Sequence, residues 1–205
     1  MMSQNLWLFL ISAAGISLSG VMLPGPLTAA TIARGYNDKN AGVLIGLGHG
    51  VIEMPIIALV YFGFASYLTI PVVKQITGVA GGLLLIVMGL IVFFTFKKPV
   101  TVSTAAPYGS LVTGIVMTGG NPYFFLWWAT IGVALITGAV AFGIYGIVLF
   151  AIVHWSCDIV WSQIVSMTVF KTRHLWTPGV QKVIFGICAL VLVGFGLWFG
   201  ISVFL

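Results

Sequence analysis

The sequence predicts an all-helical integral membrane protein of six transmembrane helices, arranged as two inverted three-helix repeats. Three observations carry this: the composition, six long apolar stretches, and a punctuation pattern that occurs twice. Of 205 residues, 60% are apolar and only 5% are charged. Soluble domains carry about 25% charged residues, so most of this surface must face something other than water. No polar stretch is long enough to fold separately, and one membrane domain over residues 1–205 is expected.

A bilayer core about 30 Å thick takes roughly 20 apolar residues per helix. Residues 5–32, 41–67, 75–96, 109–136, 143–169 and 180–204 qualify. The first stretch has no basic leader and reads as a retained helix rather than a cleaved signal. Charges fall between the stretches. Arg34, Asp38 and Lys39 mark the first loop, Lys74 the second, Lys97 and Lys98 the third. Lys171, Arg173, His174 and Lys182 mark the fifth, and the fourth has none. Basic residues favour the odd loops, which puts those loops in the cytoplasm and both termini outside. The net charge of +5 is scattered over short loops, which argues against nucleic acid and leaves the bilayer as the large partner.

Glycines recur every four residues at Gly42, Gly46 and Gly50, and again at Gly78 and Gly82 and at Gly196 and Gly200. Such spacing lets helix backbones approach closely in lipid, within one chain or across a homodimer. Trp7, Trp176 and Trp198 fall near helix ends, as interfacial anchors do. Cys157 and Cys188 lie in apolar runs without CxxC spacing and read as buried structural thiols.

The halves, about residues 1–98 and 107–205, share one pattern. Helix one is interrupted by Pro24, Gly25 and Pro26, and helix four by Gly119, Gly120, Asn121 and Pro122. The following helix of each half then carries a histidine and, four residues on, a carboxylate: His49 and Glu53, then His154 and Asp158. Three helices per half is an odd number, so the second copy must run inverted. Paired breaks in corresponding helices are the best pointer to a transport site near the midplane.

Asp38 sits beside Lys39 and reads as a solvated charge, whereas Glu53 and Asp158 lie midway along apolar stretches. Glu53 is about 18 Å into its helix at 1.5 Å per residue. A charge at that depth costs at least about 2.5–3.5 kcal/mol, and intramembrane acids usually mark ion or substrate paths. Each histidine lies one turn from its acid. An imidazole beside a carboxyl can exchange a proton near neutral pH, as proton coupling requires. The prolines add ligands. Pro24 and Pro26 leave the carbonyls of Gly20 and Met22 without their helical donors, Pro122 that of Thr118 and Pro55 that of Val51. Half-helix amide ends hold anionic groups, so a zwitterion with its ammonium at Glu53 and Asp158 fits. Asn121 offers donor and acceptor at the second break, and Trp161, one turn from Asp158, can stack on a cation. Trp127 and Trp128 read as packing or interface residues, and Lys171 and Arg173 as topology charges.

These residues resemble the LysE-type translocator family, the lysine and homoserine exporters. The resemblance rests on Leu23-Pro24-Gly25-Pro26, on Gly46 to Gly50 leading to Glu53, on Asn121-Pro122, and on His154-Trp155 with Asp158, and it covers essentially the whole chain. It implies export of amino acids or related small polar metabolites, driven by protons or the membrane potential, from a prokaryotic plasma membrane. It also implies that the acids of helices two and five matter most. No cofactor and no enzymatic activity are expected. The alternative is a divalent metal transporter, with His49, Glu53, His154 and Asp158 converging as an N/O ligand set. A thiol carrier using Cys157 and Cys188 is disfavoured, because the two thiols do not occupy repeat-related positions.

Overall fold

The computed structural model describes residues 5–22, 25–63, 70–95, 109–202 and 204. The described residues are helical throughout, with no strand among them. In chain order they form α1 (Leu6–Val21), α2 (Pro26–Gly35), α3 (Ala41–Tyr61), α4 (Pro71–Thr95), α5 (Ser110–Gly119), α6 (Pro122–Trp127), a π-helical turn (Trp128–Gly132), α7 (Val133–Val140), α8 (Gly143–Thr172), a 3-10 turn (Arg173–Leu175) and α9 (Pro178–Ser202). Among the described residues, four stretches are long and apolar enough to cross a membrane, and five if the bent pair α1–α2 is one span.

Local chemistry explains the boundaries. Asn5 caps α1, its side chain accepting from the amides of Trp7 and Leu8. α1 and α2 meet at 77°, with Pro26 opening α2 at a position where its missing N–H costs nothing. Pro24, central to the expected break, lies outside the described residues, as do Lys97 and Lys98. α3 stops at Tyr61, short of the expected 67, because Gly63 takes a φ of 87° and ends the helix. α7 runs on to Val140 beyond the expected 136, and Gly143, φ 68°, lets the chain reverse into α8. Pro55 sits within α3 without ending it.

α3 is the central element, packed on α8 along one side and on α5 along another. Glycine sets both contacts. A Cβ on Gly42 would fall on the backbone of Ser162, one on Gly46 on Ile159, and one on Gly50 on the indole of Trp155. Numbers rise along α3 as they fall along α8, so the two helices are antiparallel. Gly48 lies against the carbonyl of Leu111, and Gly114 on α5 against that of Ile45. α4 packs along α9, with Gly82 and Gly196 each against the other's carbonyl. The described glycine faces at Gly42, Gly46, Gly50, Gly82 and Gly196 are therefore spent inside the chain. The α3–α8 seam is also tied by polar bonds. Trp155 Nε1 donates to the Gly46 carbonyl at 2.9 Å. At the start of α3, Ser166 and Gln163 accept from the amides of Gly42 and Val43 at 3.0 and 3.1 Å, and both donate to the Lys39 carbonyl.

Two apolar clusters flank this frame. One joins α1, α3, α6, α7 and α8 through residues such as Ile56, Phe124, Trp128 and Phe150. The other joins α2, α4, α5 and α9 through Ala30, Leu85, Met117, Cys188 and Leu192. Trp7 and Trp198 remain exposed, as lipid-facing anchors would. Trp176 instead packs with Tyr36 and Phe185. Arg173 does more than mark topology: it lies over Phe170 and donates to the Tyr36 carbonyl at 2.8 Å.

A Cβ at Gly48 or Gly114 would meet backbone that cannot swing away, so Gly48→Ala and Gly114→Ala should each cost about 1–3 kcal/mol. Gly15 has open space around it, and Gly15→Ala should leave the thermal midpoint in detergent unchanged or slightly raised. Equal midpoints for all three variants would contradict glycine-set packing.

Candidate functional site

Glu53 on α3 and Asp158 on α8 are both buried, and so are His49 and His154. The antiparallel seam brings the four together. His49 Nε2 lies 3.0 Å from Glu53 Oε1, the within-helix pair expected from the four-residue spacing. The second expected pair does not form in that way. His154 Nε2 lies 3.9 Å from Asp158 Oδ2 but 3.0 Å from the same Glu53 Oε1. Both imidazoles thus converge on one oxygen of Glu53, and Asp158 stands a step back, with His49 Nε2 3.9 Å from its Oδ1. Antiparallel packing explains this, because it sets His154 against α3 at the level of Glu53.

The other nitrogen of each ring meets a hydroxyl. His154 Nδ1 is 2.6 Å from Ser17 Oγ on α1, and His49 Nδ1 is 2.7 Å from Thr118 Oγ1 on α5. Neither hydroxyl carried a sequence signal, since small polar residues in apolar helices usually bond only their own preceding turn. Aromatic rings wall the histidines. Trp127 stacks on His154 at 5.3 Å, Trp128 meets it edge-on at 5.1 Å, and Phe124 meets His49 edge-on at 5.3 Å. Trp127 and Trp128 do pack, as expected, in the apolar cluster around Phe150, and the same rings also wall His154. The π-helical turn begins at Trp128, where local rewinding lets two consecutive indoles flank one imidazole.

A cavity of about 400 Å³ opens onto the cluster. Gly25 and, from α2, Pro26, Leu27 and Thr31 line it, together with Asn121, Trp161, Ser162 and the four titratable side chains. The two breaks are not equivalent there. Asn121 caps α6, its Oδ1 accepting from the Tyr123 amide at 3.0 Å. The carbonyl of Thr118, expected to be free, accepts from the Asn121 amide at 3.1 Å. The start of α2 has no side-chain cap. Pro122 opens α6 as the second break requires. Trp161 reaches the cavity with its indole edge: its Nε1, like Glu53 Oε2 and Asp158 Oδ2, is buried without a hydrogen-bond partner. Buried polar groups are normally paired, so three such atoms around one cavity make it the candidate site for a polar ligand. His49, Glu53 and Asp158 each bring one donor atom within 4.8 Å of the others, close enough to share a cation.

The chain matches the LysE type translocator family over residues 18–203. It belongs to that family. A Bacillus subtilis (strain 168) protein named "Putative amino acid efflux protein YcgF" is 26% identical over 192 residues, covering 91% of each chain. No solved structure matches the chain significantly. As a translocator with several membrane-capable helices, the chain is a multi-pass membrane protein whose work is transport rather than anchoring.

Glu53 Oε1 is the shared partner of two buried rings, so Glu53→Leu strands both and should cost about 1–3 kcal/mol for each unpaired nitrogen. Asp158 makes no side-chain hydrogen bond to the histidines, and the isosteric Asp158→Asn should cost less stability than Glu53→Leu. Thermal unfolding in detergent separates the two; a larger loss for Asp158→Asn would reverse these roles.

Proposed function

We propose that this chain is a secondary exporter of an amino acid or a similar small polar solute, working in a prokaryotic plasma membrane. The observation that carries the reading is the buried cluster of two acids and two histidines facing a cavity between two broken helices. Burying two carboxylates away from water is costly and makes sense where they exchange ligands. An ammonium group and a proton compete for the same oxygens, so a cluster that holds one or the other exchanges solute for proton. The membrane potential can act on the same charges. The unpaired oxygens of Glu53 and Asp158 suit the ammonium end of a zwitterion. The uncapped start of α2 suits its carboxylate, and Trp161 Nε1 offers a further donor.

Six spans support alternating access in this reading: α1–α2, α3, α4, α5 through α7, α8 and α9. The halves, about 1–98 and 107–205, are inverted copies. In support, α1 packs on α8 as α5 packs on α3, and α3 runs antiparallel to α8 as an in-plane two-fold requires. The odd loops face the cytoplasm and both termini lie outside. Rocking one half against the other exposes the cavity to each side in turn. A divalent cation is the second reading, favoured by the three donor atoms that converge from His49, Glu53 and Asp158.

A ligand bound to the folded form raises its stability, by about 2.7 kcal/mol at a hundredfold over Kd. Purified protein scanned against amino acids and divalent cations should be stabilised by an amino acid, with the effect lost in Glu53→Gln. Reconstituted transport of that solute should fall at least tenfold in Glu53→Gln and Asp158→Asn. Stabilisation by a metal ion alone, lost in His49→Ala, would overturn the exporter reading in favour of the cation.

A further inference from the structure

Each histidine turns Nε2 toward Glu53 and Nδ1 toward a hydroxyl, and the two hydroxyls come from opposite broken helices. They are not chemically equivalent. Ser17 Oγ also lies 2.7 Å from the Ala13 carbonyl. A serine has one hydrogen and a carbonyl only accepts, so that hydrogen goes to Ala13. The 2.6 Å contact between Ser17 and His154 must then be filled by a hydrogen on His154 Nδ1. Thr118 Oγ1 has His49 Nδ1 as its only hydrogen-bond partner among the described residues, and its hydrogen is available to that nitrogen. His49 then carries its own hydrogen on Nε2 and donates to Glu53 Oε1.

We infer that Ser17 and Thr118 are positioning residues that hold the two histidines in opposite tautomers, His154 protonated on Nδ1 and His49 on Nε2. Among these four contacts, the one left with an unassigned hydrogen is between His154 Nε2 and Glu53 Oε1. With the proton on nitrogen the pair is imidazolium and carboxylate; on oxygen it is imidazole and carboxylic acid. Atoms and charge balance in either form, and His49 donates to Oε1 in both. The titratable groups around His154 are Glu53 and His49 from α3 and Asp158 from its own helix. α1 contributes Ser17, and α6 with the π turn contributes Trp127 and Trp128. Because Ser17 rides on the broken helix, displacing α1 from α8 removes the acceptor for Nδ1–H and releases the tautomer. Solute access and proton position are linked at that contact.

This inference rests on the exporter reading for its consequence but not for its test. The chain has three histidines, so magnetic resonance of the full-length protein, histidine-labelled with nitrogen-15 in lipid bilayers, resolves each ring. His174→Gln and His49→Asn assign them. The expected spectrum has His154 protonated on Nδ1 and His49 with a bare Nδ1. Ser17→Ala should move the His154 signals, leave those of His49, and shift the pH profile of transport; Ser17→Thr, which keeps a back-bonding hydroxyl, should restore both. Thr118→Val should move His49 alone. Like tautomers for the two rings, or His154 signals unmoved by Ser17→Ala, would overturn the assignment. Opposite tautomers alongside full transport in Glu53→Gln would uphold the assignment and overturn the exporter mechanism instead.

Discussion

Glu53 Oε1 is the point on which the arrangement turns. One carboxylate oxygen receives an imidazole from its own helix and another from α8, each at 3.0 Å. Two rings can share an oxygen only if the helices carrying them lie very close. The glycines at positions 42, 46 and 50 allow that approach: a Cβ at Gly42 would overlap the Ser162 backbone, and one at Gly46 or Gly50 would press on Ile159 or Trp155. Packing and polar chemistry are therefore one constraint. The small-residue face of α3 exists so that a buried acid can find partners in a medium that offers no water.

The broken helices complete the site by supplying what straight helices cannot. The end of α1 and the end of α5 each turn a hydroxyl toward a histidine, and the turns that follow open space beside them. Asn121 spends its side chain on the amide of Tyr123, while the start of α2 has no side-chain cap. The two breaks thus differ in detail, and a cavity between them has distinct ends.

Much of this was legible in the residues. An acid in the middle of an apolar stretch is conspicuous because its insertion is costly, and a proline with glycine inside such a stretch announces a break. The four-residue step from His49 to Glu53 is a property of one helix and could be read directly. The sharing of Glu53 by His154 could not, because it depends on how α3 and α8 cross. Ser17 and Thr118 were invisible for a similar reason: a hydroxyl in an apolar helix looks the same whether it bonds its own backbone or a ring on another helix. Trp127 and Trp128 read as packing or interface residues, and they do pack; that their rings also meet His154 depends on how α6 and the π turn lie against α8.

The cross-helix bonds at the start of α3 have a mechanical consequence. Gln163 and Ser166 take up the first amides of α3 and also hold the Lys39 carbonyl, and Trp155 holds the Gly46 carbonyl further along. Sliding α3 along α8 would strand several backbone groups at once, each costing about 1–3 kcal/mol where no water can replace the bond. The pair is thus held by its backbone as well as by its side chains, and in the exporter reading this seam is the axis about which the rest turns.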